Sequence, residues 1–262
     1  MKLNPNIKYI IGSVLSLPLF PFLIFDGYKI KRTIPQLPEA KDLNGFIDRN
    51  FEKTINLIAI GESTIAGVGS RSNAQGFTGI LAKELAEIYQ SNVNWKVFAK
   101  SGYTVRDVNR ELIPKIKEEK VDIIVVGLGA NDAFEFNSPF RWRNQLRLLI
   151  KNLRIKYPTT PIYFNNMPPI KEFPAFTTSL KFTFGNLVEI LGDVLNDTVK
   201  EFDNVFYNKE EIKISEWERK YRNYLETDIQ FFSDGVHPTE FTYKILAIDM
   251  ANFIVNKTTK IS

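Results

Sequence analysis

The chain has no cysteine and only one histidine, and both absences narrow its chemistry. Without thiols it has no disulfides, thiolate metal sites or cysteine nucleophiles; the compartment stays open, since oxidising and reducing surroundings both tolerate the lack. A metal site built from several histidines is excluded as well. No basic run is present either: 34 lysines and arginines are interspersed with 30 acids, so the net charge of +4 is an ordinary surface and nucleic acid is not an expected partner. Internal repeats and low-complexity tracts are missing too. The 262 residues, 44% of them hydrophobic, suffice for one sizeable α/β domain whose core needs no staple.

Charge is missing from one more place. Residues 9–25 form a seventeen-residue stretch with no charged side chain, preceded by Lys2 and Lys8 and followed by Asp26, Lys29, Lys31 and Arg32. That length is the short limit for a spanning helix. A cleaved signal peptide fits poorly, because no small-x-small site follows the run and Pro18 and Pro21 lie inside it. The favoured reading is an uncleaved membrane anchor, with a helix packed on the domain or lying in the interface as the alternative. Flanking positive charge is nearly equal at the two ends and sets no orientation. Residues 35–45 read as a linker, giving an anchor-and-linker segment over 1–45 and a folded domain over 46–262.

Within that domain, continuous apolar runs alternate with amphipathic segments, the pattern of a parallel sheet covered by helices on both faces. Strands are expected at 55–60, 95–99, 123–128, 162–165 and, more weakly, 205–207. Helices are expected at 78–89, 105–117, 141–156, 187–202 and 240–255. The fold class is therefore α/β, a three-layer α/β/α sandwich on a five-stranded, mostly parallel sheet. Ligands bind such sheets outside the carboxyl ends of the strands, so the residues just after each strand matter most.

Gly61-Glu62-Ser63-Thr64 follows the first strand and exposes a serine at the sheet edge, although serine also caps helices routinely. A phosphate loop is excluded, since the lysine it needs is missing. After the second strand Gly102 offers a backbone N–H with no side chain in the way, and after the third Asn131 offers a side-chain amide; together they suit an oxyanion hole. Glycine and Asn-Asp are also common turn residues. Before the last helix, Asp234 and His237 stand three apart in Ser233-Asp234-Gly235-Val236-His237-Pro238, a spacing that lets a carboxylate orient the imidazole. Each piece is weak alone. Four strand ends that each supply one component of a hydrolytic site carry the weight.

These blocks, Gly61-Glu62-Ser63, Gly102, Gly129-x-Asn131-Asp132 and Asp234-x-x-His237, resemble those of the SGNH or GDSL hydrolases, in the order found in that family. The resemblance spans about residues 55–255. It implies a flavodoxin-like SGNH fold and a serine hydrolase that needs no cofactor or metal, with Ser63 as nucleophile and Asp234 and His237 completing the triad. Gly102, Asn131 and the Ser63 backbone would donate to the oxyanion. One departure stands out: the family usually has aspartate before the serine, and Glu62 here changes the packing or hydrogen bonds beneath it.

The resemblance points to a carboxylic ester, with a lipid ester suited to a membrane-associated enzyme whose domain is expected on the extracytoplasmic side. Deacetylation or acyl transfer on a cell-envelope glycan is the alternative, and a noncatalytic membrane-anchored binding protein the alternative of another class. Phe134, Met167 and Phe173 are the expected substrate contacts, because 166–176 overhangs the fourth strand and Phe134, Phe136, Phe140 and Trp142 follow Asn131. Aromatics at that spacing also suit a core.

Overall fold

The computed structural model describes residues 4–221 and 230–258. Its centre is a six-stranded sheet in the order β1-β3-β2-β4-β5-β6, formed by β1 (Asn44–Ile47), β2 (Thr54–Gly61), β3 (Asn92–Ala99), β4 (Ile123–Gly127), β5 (Ile162–Phe164) and β6 (Val205–Tyr207). Strands β2 to β6 are parallel, while β1 runs antiparallel to β3, pairing Asn44 with Lys96 and Ile47 with Val93. The sixth strand corrects the expectation of five. β1 is short, alternates exposed and half-buried residues and opens on Asn44-Gly45, so it shows no apolar run; its stability comes from pairing with a strand far along the chain.

Alternation along the strands builds two cores. Ile58 and Ile60 of β2 and Ile124 and Val126 of β4 face α6 (Pro139–Lys156) and α8 (Asn186–Val199), with Trp142 fully buried among them. Leu57, Ala59 and Val125 face the other way, onto α3 (Phe77–Tyr89) and α10 (Glu240–Thr258). The helix expected over 105–117 divides into α4 (Val105–Asp107), a π turn (Val108–Leu112) and a 3₁₀ turn (Ile113–Lys115). Pro114 accounts for the break, since it lacks the N–H and its ring collides with the preceding turn. Short helices α5 (Ala130–Phe134), α7 (Thr178–Leu180) and α9 (Ile214–Lys220), a 3₁₀ turn (Ile170–Glu172) and a π turn (Lys181–Gly185) lie in the connections.

The apolar N-terminal stretch forms α1 (Pro5–Ser16) and α2 (Phe20–Thr33), joined by a 3₁₀ turn. Pro18 and Pro21 fall in the first turns of the segments they open, where a missing N–H costs nothing. Both helices lie against the domain. Lys8 Nζ meets Asp193 Oδ2 at 2.6 Å, the Tyr9 hydroxyl donates to the Phe136 carbonyl at 3.0 Å, and Asp26 Oδ2 accepts from Thr177 and Ser179 at 2.6 and 2.8 Å. Their outer faces are apolar. Ser16 and Leu23 are buried toward the domain, whereas Ile10, Phe22 and Phe25 are 60%, 62% and 68% exposed.

Candidate active site

β2 lies between β3 and β4: the chain runs from β2 to β3 on one side and then crosses back to β4 on the other, and a crevice opens at their carboxyl ends. The loops bearing Ser63 and Asn131 leave the sheet beside each other there, since Gly61 of β2 pairs with Gly127 of β4. After Gly61 the chain turns tightly: Glu62 O accepts from Ala66 N at 2.9 Å and Ser63 O from Val68 N at 3.1 Å. Ser63 is half-buried. The Tyr243 hydroxyl of α10 donates to Val68 O at 2.8 Å and ties this loop to the C-terminal helix.

The turn preceding α10 carries Asp234 and His237. Asp234 Oδ1 accepts from the backbone N–H groups of Val236 and His237 at 2.9 and 2.7 Å, and Oδ2 lies 2.7 Å from His237 Nδ1. Burial pushes the Asp234 carboxyl up, but the His237 N–H, its imidazole and the Val236 N–H outweigh that and hold it below the usual carboxylate range. The Asp234 side chain is fully buried, while that of His237 is 22% exposed. A Cβ placed on Gly69 would stand 3.2 Å from Ser233 Oγ, which measures how closely the Ser63 loop packs on this turn. No hydrogen bond joins Ser63 to His237 among the described residues. The structure thus pairs the expected acid and base, and places the serine loop against them.

Asn131 sits in the first turn of α5, and Glu62 reaches it. Glu62 Oε1 accepts from Ala130 N at 3.0 Å; Oε2 accepts from Asn131 N at 3.2 Å and from the Asn131 side-chain amide. The second amide hydrogen of Asn131 goes to Tyr103 O at 3.2 Å. The extra methylene of Glu62 therefore joins the serine loop to the asparagine loop. Burial pushes the Glu62 carboxyl up to about 7, against these N–H donors. Next to it Asp132 accepts from Val105 N at 2.9 Å and Asn137 Nδ2 at 3.0 Å, and burial, together with the charge of Glu62, raises it to about 8.

Gly102 has φ +83°, a conformation that a side chain strains, while the space around its α-carbon is open. Backbone conformation, more than room for a ligand, is what requires glycine there. The preceding residue is held from an unexpected quarter: Glu39 Oε1 accepts from Ser101 N at 2.7 Å and its other oxygen meets Lys100 Nζ at 3.1 Å. Ala40 N also donates to Ala66 O, and Gly69 N to Pro38 O, both at 3.1 Å. Residues 38–40 thus strap both the serine loop and the Ser101 turn. Nothing in the local sequence signals this, because each partner is distant along the chain.

The three expected substrate contacts separate. Phe134 lines a cavity of about 570 Å³ that also includes His237 and Ser101. Phe173 is buried and packs edge-on against Phe176 and Phe232, lining a small space of about 60 Å³ beside Glu62 and Thr64. Met167 borders a different, polar crevice with Tyr207 and Asp193. Phe176, the end of the overhanging 166–176 stretch, and Phe184, which the sequence did not single out, share the cavity with Phe134 and touch its ring at 5.8 and 5.3 Å between centroids.

The serine loop, the asparagine loop and the Asp234–His237 turn thus stand at one end of a mostly parallel α/β sheet. Solved structures share the fold. A lipase/acylhydrolase from Enterococcus faecalis is 19% identical, with a TM-score of 0.53, 78% of this chain covered and 96% of that one. The acetyl xylan esterase AlAXEase is 13% identical, TM-score 0.54, over 76% of this chain and all of that one. The salicylyl-acyltransferase SsfX3 from a tetracycline biosynthetic pathway is 17% identical, TM-score 0.50, over 76% of this chain and 54% of that one. No curated protein matches the sequence. The GDSL-like lipase/acylhydrolase family model matches residues 59–245, most of the chain, and the protein belongs to that family.

Proposed function

We propose that the protein is a serine hydrolase of carboxylic esters, with Ser63 as nucleophile, His237 as general base and Asp234 orienting it. The observation that carries this reading is the double grip of Asp234 on His237, at the backbone and at Nδ1, which leaves Nε2 as the imidazole's working nitrogen. His237 takes the Ser63 proton as the hydroxyl oxygen attacks the ester carbonyl. The tetrahedral oxyanion is met by the N–H groups of Ser63 and Gly102 and by the Asn131 amide, which gives up its bond to Tyr103 O to do so. Collapse expels the alcohol, protonated by His237. Water, activated by the same imidazole, then releases the acid.

Membrane association belongs to the same proposal. The outward faces of α1 and α2 carry large apolar side chains, Ile10, Phe22 and Phe25 among them, where a helix bathed in water carries polar ones. Residues 5–30 are also long and apolar enough to cross a bilayer. Contacts with the domain at both ends, at Lys8 and at Asp26, favour helices lying along a lipid surface with the domain above them. A lipid ester suits this placement. A glycan acetyl ester and transfer to an alcohol acceptor are the other outcomes to be read, since solved structures named for an acetyl xylan esterase and for an acyltransferase share the fold.

The test is hydrolysis of p-nitrophenyl esters by the full chain, by Ser63→Ala and by His237→Ala, with and without an alcohol acceptor. Loss on the order of 10⁶ in kcat in both variants is expected of groups that act as a unit. Retained turnover in both would remove the assignment.

A further inference from the structure

The cavity beside His237 has one wall that the family match, beginning at residue 59, does not include. Gly27, Ile30 and Ile34 of the α2 face and its exit line one side, at the spacing of a single helical stripe. Phe134, Phe176, Leu180 and Phe184 line the cavity as well, together with Val236 and His237 of the Asp-His turn. The lining is mainly apolar, with Gln36, Ser101 and His237 as its polar members. At about 570 Å³ the space falls within the roughly 300–1,000 Å³ usual for small-molecule sites, far more than an acetyl group fills. Asp26, one residue before Gly27, is bonded to Thr177 and Ser179, so α2 is fixed to the segment that carries Phe176 and Leu180.

We infer that α2 is the outer wall of an acyl-chain pocket, and that the substrate is an ester of a medium or long unbranched acyl chain. This rests on the ester-hydrolase reading above. Ser101 and Phe134 flank the cavity and adjoin Gly102 and the α5 turn of Asn131 in the chain, so a carbonyl held by those donors has its acyl substituent at the mouth of the cavity. A chain entering there leaves water for an apolar lining, which favours longer acyl groups by up to about fourfold per methylene. The same helix turns Phe25 and Phe22 outward, so the pocket is walled by an element whose far side suits lipid.

Gly27 provides the test, because a Cβ there meets nothing within 4 Å and a large side chain projects into the open space. With p-nitrophenyl esters from acetyl to decanoyl, wild type is expected to prefer octanoyl over acetyl in kcat/KM. Gly27→Trp lowers the octanoyl-to-acetyl ratio at least tenfold, and Ile30→Ala, which widens the pocket, moves the preferred length upward. Circular dichroism checks that each variant is folded. Decanoate binding to Ser63→Ala by calorimetry, expected to weaken at least tenfold when Gly27→Trp is added, reads the pocket without catalysis. Wild type favouring acetyl, or a ratio and decanoate affinity untouched by Gly27→Trp, overturns the pocket while leaving ester hydrolysis standing. Decanoate binding sensitive to Gly27→Trp in a wild type that turns over no ester overturns hydrolysis and leaves the pocket.

Discussion

Asp234 holds His237 at two points, the backbone N–H on Oδ1 and Nδ1 on Oδ2, each at 2.7 Å. One carboxylate thereby fixes both where the histidine stands and which tautomer it adopts. Asp234→Asn keeps the shape but offers Nδ1 an amide, so kcat is expected to fall on the order of 10² to 10⁴ with KM little changed. Steady-state kinetics with a thermal melt separates this from unfolding. A variant within twofold of wild type would show that the pair has no part in turnover.

Asn131 divides its amide between Glu62 and Tyr103, and the 3.2 Å bond to the Tyr103 carbonyl is the weaker to surrender. Asn131→Ala removes that donor and is expected to lower kcat by roughly 10² to 10³, as for other oxyanion donors, with the fold intact. Unchanged kcat would take Asn131 out of the oxyanion site.

Glu62 and Asp132 give the protein a pH signature. Burial raises them to about 7 and about 8, so between the ordinary carboxylate range and those values the native state holds protons that the unfolded chain has released. Stability from these groups is fully present below the unfolded carboxylate range and is lost as pH rises through about 7 to 8. The expected loss is on the order of a few kcal/mol. Urea midpoints between pH 5 and 9 should show it, and Asp132→Asn should flatten the slope. An equally steep slope in that variant would contradict the assignment.

Phe22 and Phe25 are 62% and 68% exposed on the outer face of α2. If that face meets lipid, the full chain sediments with phosphatidylglycerol-containing vesicles, and Phe22→Glu with Phe25→Glu weakens the association by roughly tenfold or more, as charge replaces apolar burial. Sedimentation unaffected by both substitutions would place the contact elsewhere.

The parts of the site that sequence made legible are those carried by residue type at a strand end. Ser63, Asn131 and the Asp234–His237 turn are local patterns, and the five parallel strands announce themselves as apolar runs. What was hidden depends on distant partners. β1 exists because Val93 to Lys96 need a neighbour, and Glu39 matters because Ser101 N, far along the chain, lies against it. Glu62 was visible as a departure from the family pattern, but only the fold brings its carboxylate to Ala130 and Asn131. The uncharged stretch 9–25 was plain to read, yet which of its faces turned inward was not, because apolar residues surround the helix on all sides and Gly27 becomes meaningful only beside Phe134 and His237.

The central claim is that Ser63 is a nucleophile activated by His237. Labelling the full chain with a fluorophosphonate probe and locating the adduct by mass spectrometry tests it most directly. The adduct is expected on Ser63 in wild type and absent in Ser63→Ala, with labelling slowed by orders of magnitude in His237→Ala. An unlabelled wild type, or an adduct on another residue, would contradict it.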